Sequence, residues 1–247
     1  MSIDRALRSA VEAVGELWSD DDRNAERYRQ FTASLRHRRL ERPAEALHSL
    51  RDRVDGALYL AVYEEGEVRV RAQSSGPATP TLNEWVDFRH SAHAHSFGKA
   101  LLAQLDEDGL RDHISRHRLA RFTSRTITGE EALRRKLREA SPPGAPSSFL
   151  DLGEYFVGWV SAAVPVSGAG RPAALAVYLP LEKAHLLRIA PYVLAEAAAK
   201  QQSAFVALLT GEHSPEELAD LDWTSDEAVI AARYAIGSNR DGAMHSR

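Results

Sequence analysis

An α+β domain built on an antiparallel sheet is the fold class this sequence predicts, and three observations predict it. Residues 57–71 and 158–179 each read as two strands joined by a tight turn. Helical periodicity fills the segments before, between and after these hairpins. The resulting order of helices, hairpin, helices, hairpin, helix keeps strands apart from helices, which indicates an antiparallel sheet covered by packed helices and preceded by N-terminal ones.

Each element follows from its residues. Ile3, Leu7, Val11, Val14 and Trp18 share one helical face, so residues 2–18 predict an amphipathic helix. Ser19, Asp20, Asp21 and Asp22 end it and can cap the next helix, marked by Tyr28, Phe31 and Leu35. Pro43 either ends that helix or starts a third, where its missing N–H is harmless in the first turn. Leu47, Leu50 and Val54 continue the apolar stripe to a stop at Asp55-Gly56. The strand at 57–63 is almost wholly apolar and predicts burial on both faces; alternation at 68–71 predicts one wet face. Beyond the loop with Gly76, Pro77 and Pro80, an extended piece is expected before His93. Helices are expected at 97–105, 108–117 and 130–138, the last opened by Thr128 as N-cap with Glu131 completing a capping box and buried on Leu133 and Leu137. Residues 141–148, rich in proline, predict an irregular loop, and Gly168-Ala169-Gly170 predicts the second hairpin's turn. A long alanine-rich helix should follow, with Ile189, Val193, Ala197, Phe205 and Leu208 inward. Two short helices and a frayed end are expected in the tail.

Composition excludes several classes. The 247 residues carry 44% hydrophobic and 27% charged side chains, as in an ordinary soluble globular protein. No apolar run approaches a membrane span and no signal peptide opens the chain, so no membrane partner and a cytoplasmic location are expected. Without cysteine there is no disulfide or thiolate metal site. The net charge of −4 argues against nonspecific nucleic-acid binding by the whole surface. Nine arginines against four acids between Arg23 and Arg53 read first as a solvated helix face, since no base-reading element accompanies them. The last 37 residues, 211–247, are acidic.

Four segments then carry a resemblance. Ala92-His93-Ala94-His95-Ser96-Phe97-Gly98-Lys99-Ala100-Leu101-Leu102-Ala103 resembles the H-A-T-A-L-G-K-A-L-L-A signature of the effector-binding domain of IclR-type bacterial transcription regulators. Arg121-Phe122-Thr123-Ser124-Arg125-Thr126-Ile127-Thr128 is similar to R-F-T-P-R-T-I-T. Residues 158–166 resemble G-x-x-C-I-A-A-P-V with Ser161 for cysteine, and residues 173–180 resemble A-A-L-S-V-S-G-P. Order and separation match, from about Asp21 to Leu209, which makes the set specific. The resemblance implies a GAF-like or profilin-like sheet holding a ligand in a cup. It also implies three regions: N-terminal helices over 1–40, the effector-binding domain over 41–210, and an acidic helical tail over 211–247.

Regulators of this family begin with a winged helix-turn-helix, which needs roughly 60 residues for a core. Only about twenty precede the linker helix here, although Ser2-Ile3-Asp4-Arg5-Ala6-Leu7 resembles the S-V-x-R-A-L of its first helix. Either the chain is a sensor-only relative, or the reader is lost at the gene start or by deletion. The expected function is effector sensing, acting on transcription through a partner or a missing DNA-binding domain, with DNA bound only indirectly or weakly. The alternatives are an enzyme on the same scaffold or a dimerisation partner of a complete regulator. The unpartnered N-terminal face predicts a homodimer or tetramer.

Carried over by position, the resemblance places the ligand site at Ser96, Phe97, Asp151, Ser161, Ala176 and Tyr178. Asp151 reads equally well as a cap on the loop at a strand start. Ala176 and Tyr178 replace the family's serine pair, which disfavours a small keto acid and favours a flatter aromatic or apolar acid with the Tyr178 hydroxyl as a handle. His113 and His117 have i, i+4 spacing that can bind zinc, but no further ligand accompanies them, and no metal or cofactor is expected. His93 reads as a packed, hydrogen-bonded histidine and Lys99 as a surface or helix-end lysine. There is no nucleophile elbow and no serine with a partnered base, so no catalytic residue is assigned.

Overall fold

The computed structural model describes residues 43–76, 88–139 and 146–210. The expected helices at 2–18 and 28–35 and the expected tail helices lie outside these residues.

Helix α1, Pro43–Val54, opens on its proline and ends at Asp55, whose φ of 49° makes the left-handed stop. Strands β1, Ala57–Glu64, and β2, Glu67–Ser74, form a hairpin whose two turn residues, Glu65 and Gly66, both have positive φ. That is the geometry whose twist matches paired strands. Residues 88–94, where an extended piece was expected, are helical: α2, Phe88–Ser91, runs into a 3-10 turn, Ala92–Ala94. Then come α3, Ser96–Leu102, α4, Glu107–Arg116, and α5, Glu130–Arg138. Helix α5 has Leu133 and Leu137 buried as expected, but its N-cap is Gly129 and no side chain caps it. The start lies one residue beyond Thr128, so the capping box does not form; Glu130 and Glu131 instead face the positive end of the helix dipole.

Strands β3, Phe149–Asp151, β4, Trp159–Pro165, and β5, Ala173–Pro180, complete an antiparallel five-stranded sheet of order β2-β1-β5-β4-β3. The α+β class is therefore the one the sequence predicts. Gly168 and Gly170, at φ 86° and 68°, turn the second hairpin. The expected single alanine-rich helix is two, α6, Ala190–Lys200, and α7, Gln202–Thr210, after a 3-10 segment over Leu181–Arg188. Val193, Ala197, Phe205 and Leu208 are buried, whereas Ile189 is 40% exposed because it is the N-cap, ahead of the face α6 buries.

The sheet is covered on both sides. One face (Leu58, Leu60, Val62, Val160, Val164, Leu175, Val177, Leu179) packs on α1, α6 and α7. The other face lies under α3 and carries Tyr59, Tyr178 and a series of alanines. Helix α3 can approach so closely because of Gly98. A Cβ there would stand 2.0 Å from the carbonyl oxygen of Ala92, so the preceding 3-10 turn and α3 can nest only around glycine.

Candidate effector-binding site

Strand register brings one polar row together. Asp151 pairs with Ser161, Ser161 with Tyr178, and Tyr178 with Ala57, across β3, β4, β5 and β1. Opposed residues project from the same face. The next row holds Phe149, Ala163, Ala176 and Tyr59. Helix α3 lays Ser96 and Phe97 over both rows. The Ser161 hydroxyl donates to Ser96 Oγ at 2.7 Å, and the Tyr178 hydroxyl sits 2.8 Å from His95 Nδ1. Phe97 stands 5.8 Å from the Tyr178 ring and 6.2 Å from that of Tyr59. Ala176 contributes only its small volume, between Ala163 and Tyr59. The structure thus brings all six residues to one face, and all six are buried.

A second cluster adjoins the first. Asp151 ends β3 and accepts the backbone N–H of Glu154 at 2.6 Å, so its loop-capping role is real, at the end of a strand rather than the start. That turn is clamped from below by the threonines of the 121–128 motif. Thr126 donates to the Glu154 carbonyl at 2.6 Å, and Thr123 donates to that of Gly153 at 2.8 Å. The clamp aims Glu154 at Lys99, whose ammonium donates to Oε1 at 2.6 Å. Lys99 is fully buried, not a surface lysine. Its helix neighbours Gly98, Ala100, Leu101 and Leu102 are all apolar or small, and α3 has no solvent face on which to place it. Burial, offset in part by Lys99, raises the Asp151 carboxyl to about 7. Burial likewise raises the Tyr178 hydroxyl well above its ordinary value, with the Asp151 charge adding to it.

Three residues here escape a reading from position alone. His95 is wholly buried among rings: it stacks on Phe97 at 5.0 Å and 6°, and lies 4.1 Å from Tyr155 and 5.2 Å from Phe88. Desolvation, and then Lys99, hold it well below the usual histidine range, so it is neutral. Glu154 and Tyr59 complete the set. The legible signal for His95 is that a ring stands where the signature has threonine. His93 meets its expected role, with Nε2 donating to the Ala120 carbonyl at 2.9 Å and the ring against Phe122. His113 pairs through Nδ1 with the Tyr63 hydroxyl at 3.0 Å, and His117 donates to the Gly66 carbonyl at 3.2 Å. Among the described residues no group of three or more His, Asp or Glu side chains is placed to hold a metal ion, and no helix is long and apolar enough to cross a membrane.

The sequence model of the family described as bacterial transcriptional regulator IclR, C-terminal, matches residues 33–204. The chain belongs to this family. Among solved structures, the inducer-binding domain of the PobR transcription factor from Acinetobacter, a double mutant in complex with 3-hydroxybenzoic acid, is 27% identical. It superposes with a TM-score of 0.53, over 64% of this chain and 94% of that one. An IclR homologue from Microbacterium hydrocarbonoxydans, complexed with 4-hydroxybenzoate, is 28% identical over 74% of this chain and 70% of that one, with a TM-score of 0.55. The C-terminal domain of the Escherichia coli regulator KdgR, at 22% identity, TM-score 0.54 and coverage of 66% and 96%, shares the fold. Among curated proteins no sequence matches. An IclR C-terminal domain is an effector-binding domain, and the α3 face is where this one concentrates its buried polar groups.

Proposed function

We propose that this chain senses a small aromatic carboxylic acid and reports its presence to transcription. The observation that carries the reading is the buried hydroxyl cluster of Ser96, Ser161 and Tyr178, walled by the rings of Tyr59, Phe97 and His95. These side chains pack on one another, so a ligand enters by parting ring–ring contacts. An aromatic ligand replaces what it displaces, each such pair being worth about 0.5–1.5 kcal/mol beyond area burial. A short keto acid does not. The two relatives above with bound hydroxybenzoates support the same ligand class. Signalling then runs through a DNA-reading module, in a partner or in the same protein, from a homodimer or larger assembly in the cytoplasm.

Calorimetry with benzoate, 3-hydroxybenzoate, 4-hydroxybenzoate and pyruvate tests this. Saturable binding of the aromatic acids and none of pyruvate is expected. Tyr178→Ser should weaken aromatic binding by about 1–3 kcal/mol, the scale of one large buried contact. Preference for pyruvate, or no binding of any aromatic acid, would overturn the reading.

A further inference from the structure

We infer that His95 reads a ring hydroxyl on the effector, donating to it through Nε2. The inference rests on the aromatic-acid reading of this face and adds to it the polar substituent that the ligand must carry.

The Tyr178 hydroxyl lies 2.8 Å from His95 Nδ1. Both groups are wholly buried and both are held neutral by that burial, and the phenol, a stronger acid than a neutral imidazole N–H, donates to Nδ1. A neutral imidazole that accepts at Nδ1 carries its proton on Nε2. That Nε2 is buried and has no hydrogen-bond partner. A buried donor without an acceptor is costly. His95 is fully enclosed by Phe88, Phe97, Tyr155 and Tyr178, so this donor sits in a ring-lined nest.

A hydroxyl suits this donor better than a carboxylate does. The His95 Nε2–H is one neutral donor enclosed by rings, and a carboxylate placed there would be buried with no cation against it, whereas a hydroxyl carries no charge to desolvate. His95 is moreover a departure from the signature, which has threonine there. A threonine hydroxyl is shorter and cannot reach as deep among the rings, so this reading is particular to this chain.

Binding of benzoate and of 3- and 4-hydroxybenzoate to the wild type, His95→Asn and His95→Gln tests the assignment. Asparagine keeps a polar atom near the Nδ1 position and loses Nε2; glutamine extends to the Nε2 position. The wild type should bind the better hydroxybenzoate roughly tenfold more tightly than benzoate, as one satisfied buried hydrogen bond provides. His95→Asn should bring that ratio to about one, whatever benzoate itself loses with the ring, and His95→Gln should restore part of it. A ratio retained in His95→Asn, or absent in the wild type while benzoate binds, overturns the role of His95 and leaves the aromatic-acid reading standing. Failure of all three acids to bind overturns both. Should His95→Asn not fold, histidine nitrogen NMR on the wild type decides. The Nε2–H resonance must move with hydroxybenzoate and stay with benzoate, and equal movement with both overturns the inference.

Discussion

The two faces of the sheet are built from the same strands, one residue apart, and they differ in almost every respect. Toward α1, α6 and α7 the strands present leucine and valine, with no buried ionisable group among them. Toward α3 they present Ala57, Ala61, Ala163, Ala174 and Ala176, and the space those alanines vacate is taken by Tyr59, Tyr178 and Phe97. Ser161 and Asp151 stand in the same surface, and Lys99 and His95 come down from the helix above. The aliphatic face gains stability by burying apolar area, at roughly 25 cal/mol per Å². The α3 face surrenders part of that gain to polar groups, each of which must be satisfied by a specific neighbour. A sheet can thus keep its stability on one side while holding a surface of buried polar groups on the other.

Mutations that separate the faces should do so in graded steps. Lys99→Met leaves Glu154 charged and buried without its partner, and should cost about 3–5 kcal/mol in urea unfolding. Adding Glu154→Gln should recover most of the loss, and a double variant as unstable as the single one would deny that the pair is the cause. On the other face, Leu175→Ala should cost about 3 kcal/mol through cavity formation, with hydroxybenzoate affinity unchanged once the variant is folded. A loss of affinity there would merge the two faces into one.

Acid should weaken the protein from the α3 side. Burial, then the neighbouring His117, lowers His113 from 6.5 to about 4 in the folded chain. Between those values the unfolded chain binds a proton that the folded chain refuses. The contribution of His113 is therefore whole above pH 6.5 and lost as pH falls to 4, roughly 3 kcal/mol in all. Replacing His113 with glutamine should flatten the dependence of unfolding free energy on pH across that window by about one proton, and an unaltered slope would assign the acid sensitivity elsewhere.

The smallest expected effect has the opposite sign. Asp151 is raised from 3.8 to about 7, so above pH 7 its ionised form is a burden to the fold. Asp151→Asn keeps an acceptor for the Glu154 N–H and should stabilise the protein modestly at pH 8, because burying the amide offsets most of what removing the charge gains. The advantage should shrink as pH falls through 7 toward 3.8, where the folded aspartic acid is itself neutral. Destabilisation at pH 8 would show that the carboxylate charge, rather than its oxygen, holds the turn.

Much of this was legible in the sequence, for physical reasons that can be named. The two hairpins were marked by glycine turns and apolar runs, and the strand 57–63 by its unbroken hydrophobicity. The candidate residues Ser96, Phe97, Asp151, Ser161, Ala176 and Tyr178 lie on one face because matching segments fix register, and register fixes facing. Strand β3 is only three residues long and left no pattern to read. The burial of Lys99 was missed because a lysine is ordinarily solvated, and its partner lies 55 residues away on a turn whose shape depends on Thr123 and Thr126. The N-cap of α5 moved from Thr128 to Gly129, a shift of one residue that composition does not resolve. The helix pair α6 and α7 was read as one because alanine-rich sequence continues across the break at Gln201.

The distinction between the faces can be observed directly by methyl NMR of protein labelled at alanine, leucine and valine, titrated with 4-hydroxybenzoate. The methyls of Ala57, Ala163 and Ala176, beside Tyr178 and Tyr59, should shift in a saturable way, while those of Leu60, Val164 and Leu175 on the opposite face stay in place. Saturable shifts centred on the leucine and valine methyls, or no shifts at any concentration, would contradict the placement of an aromatic-acid site beneath α3.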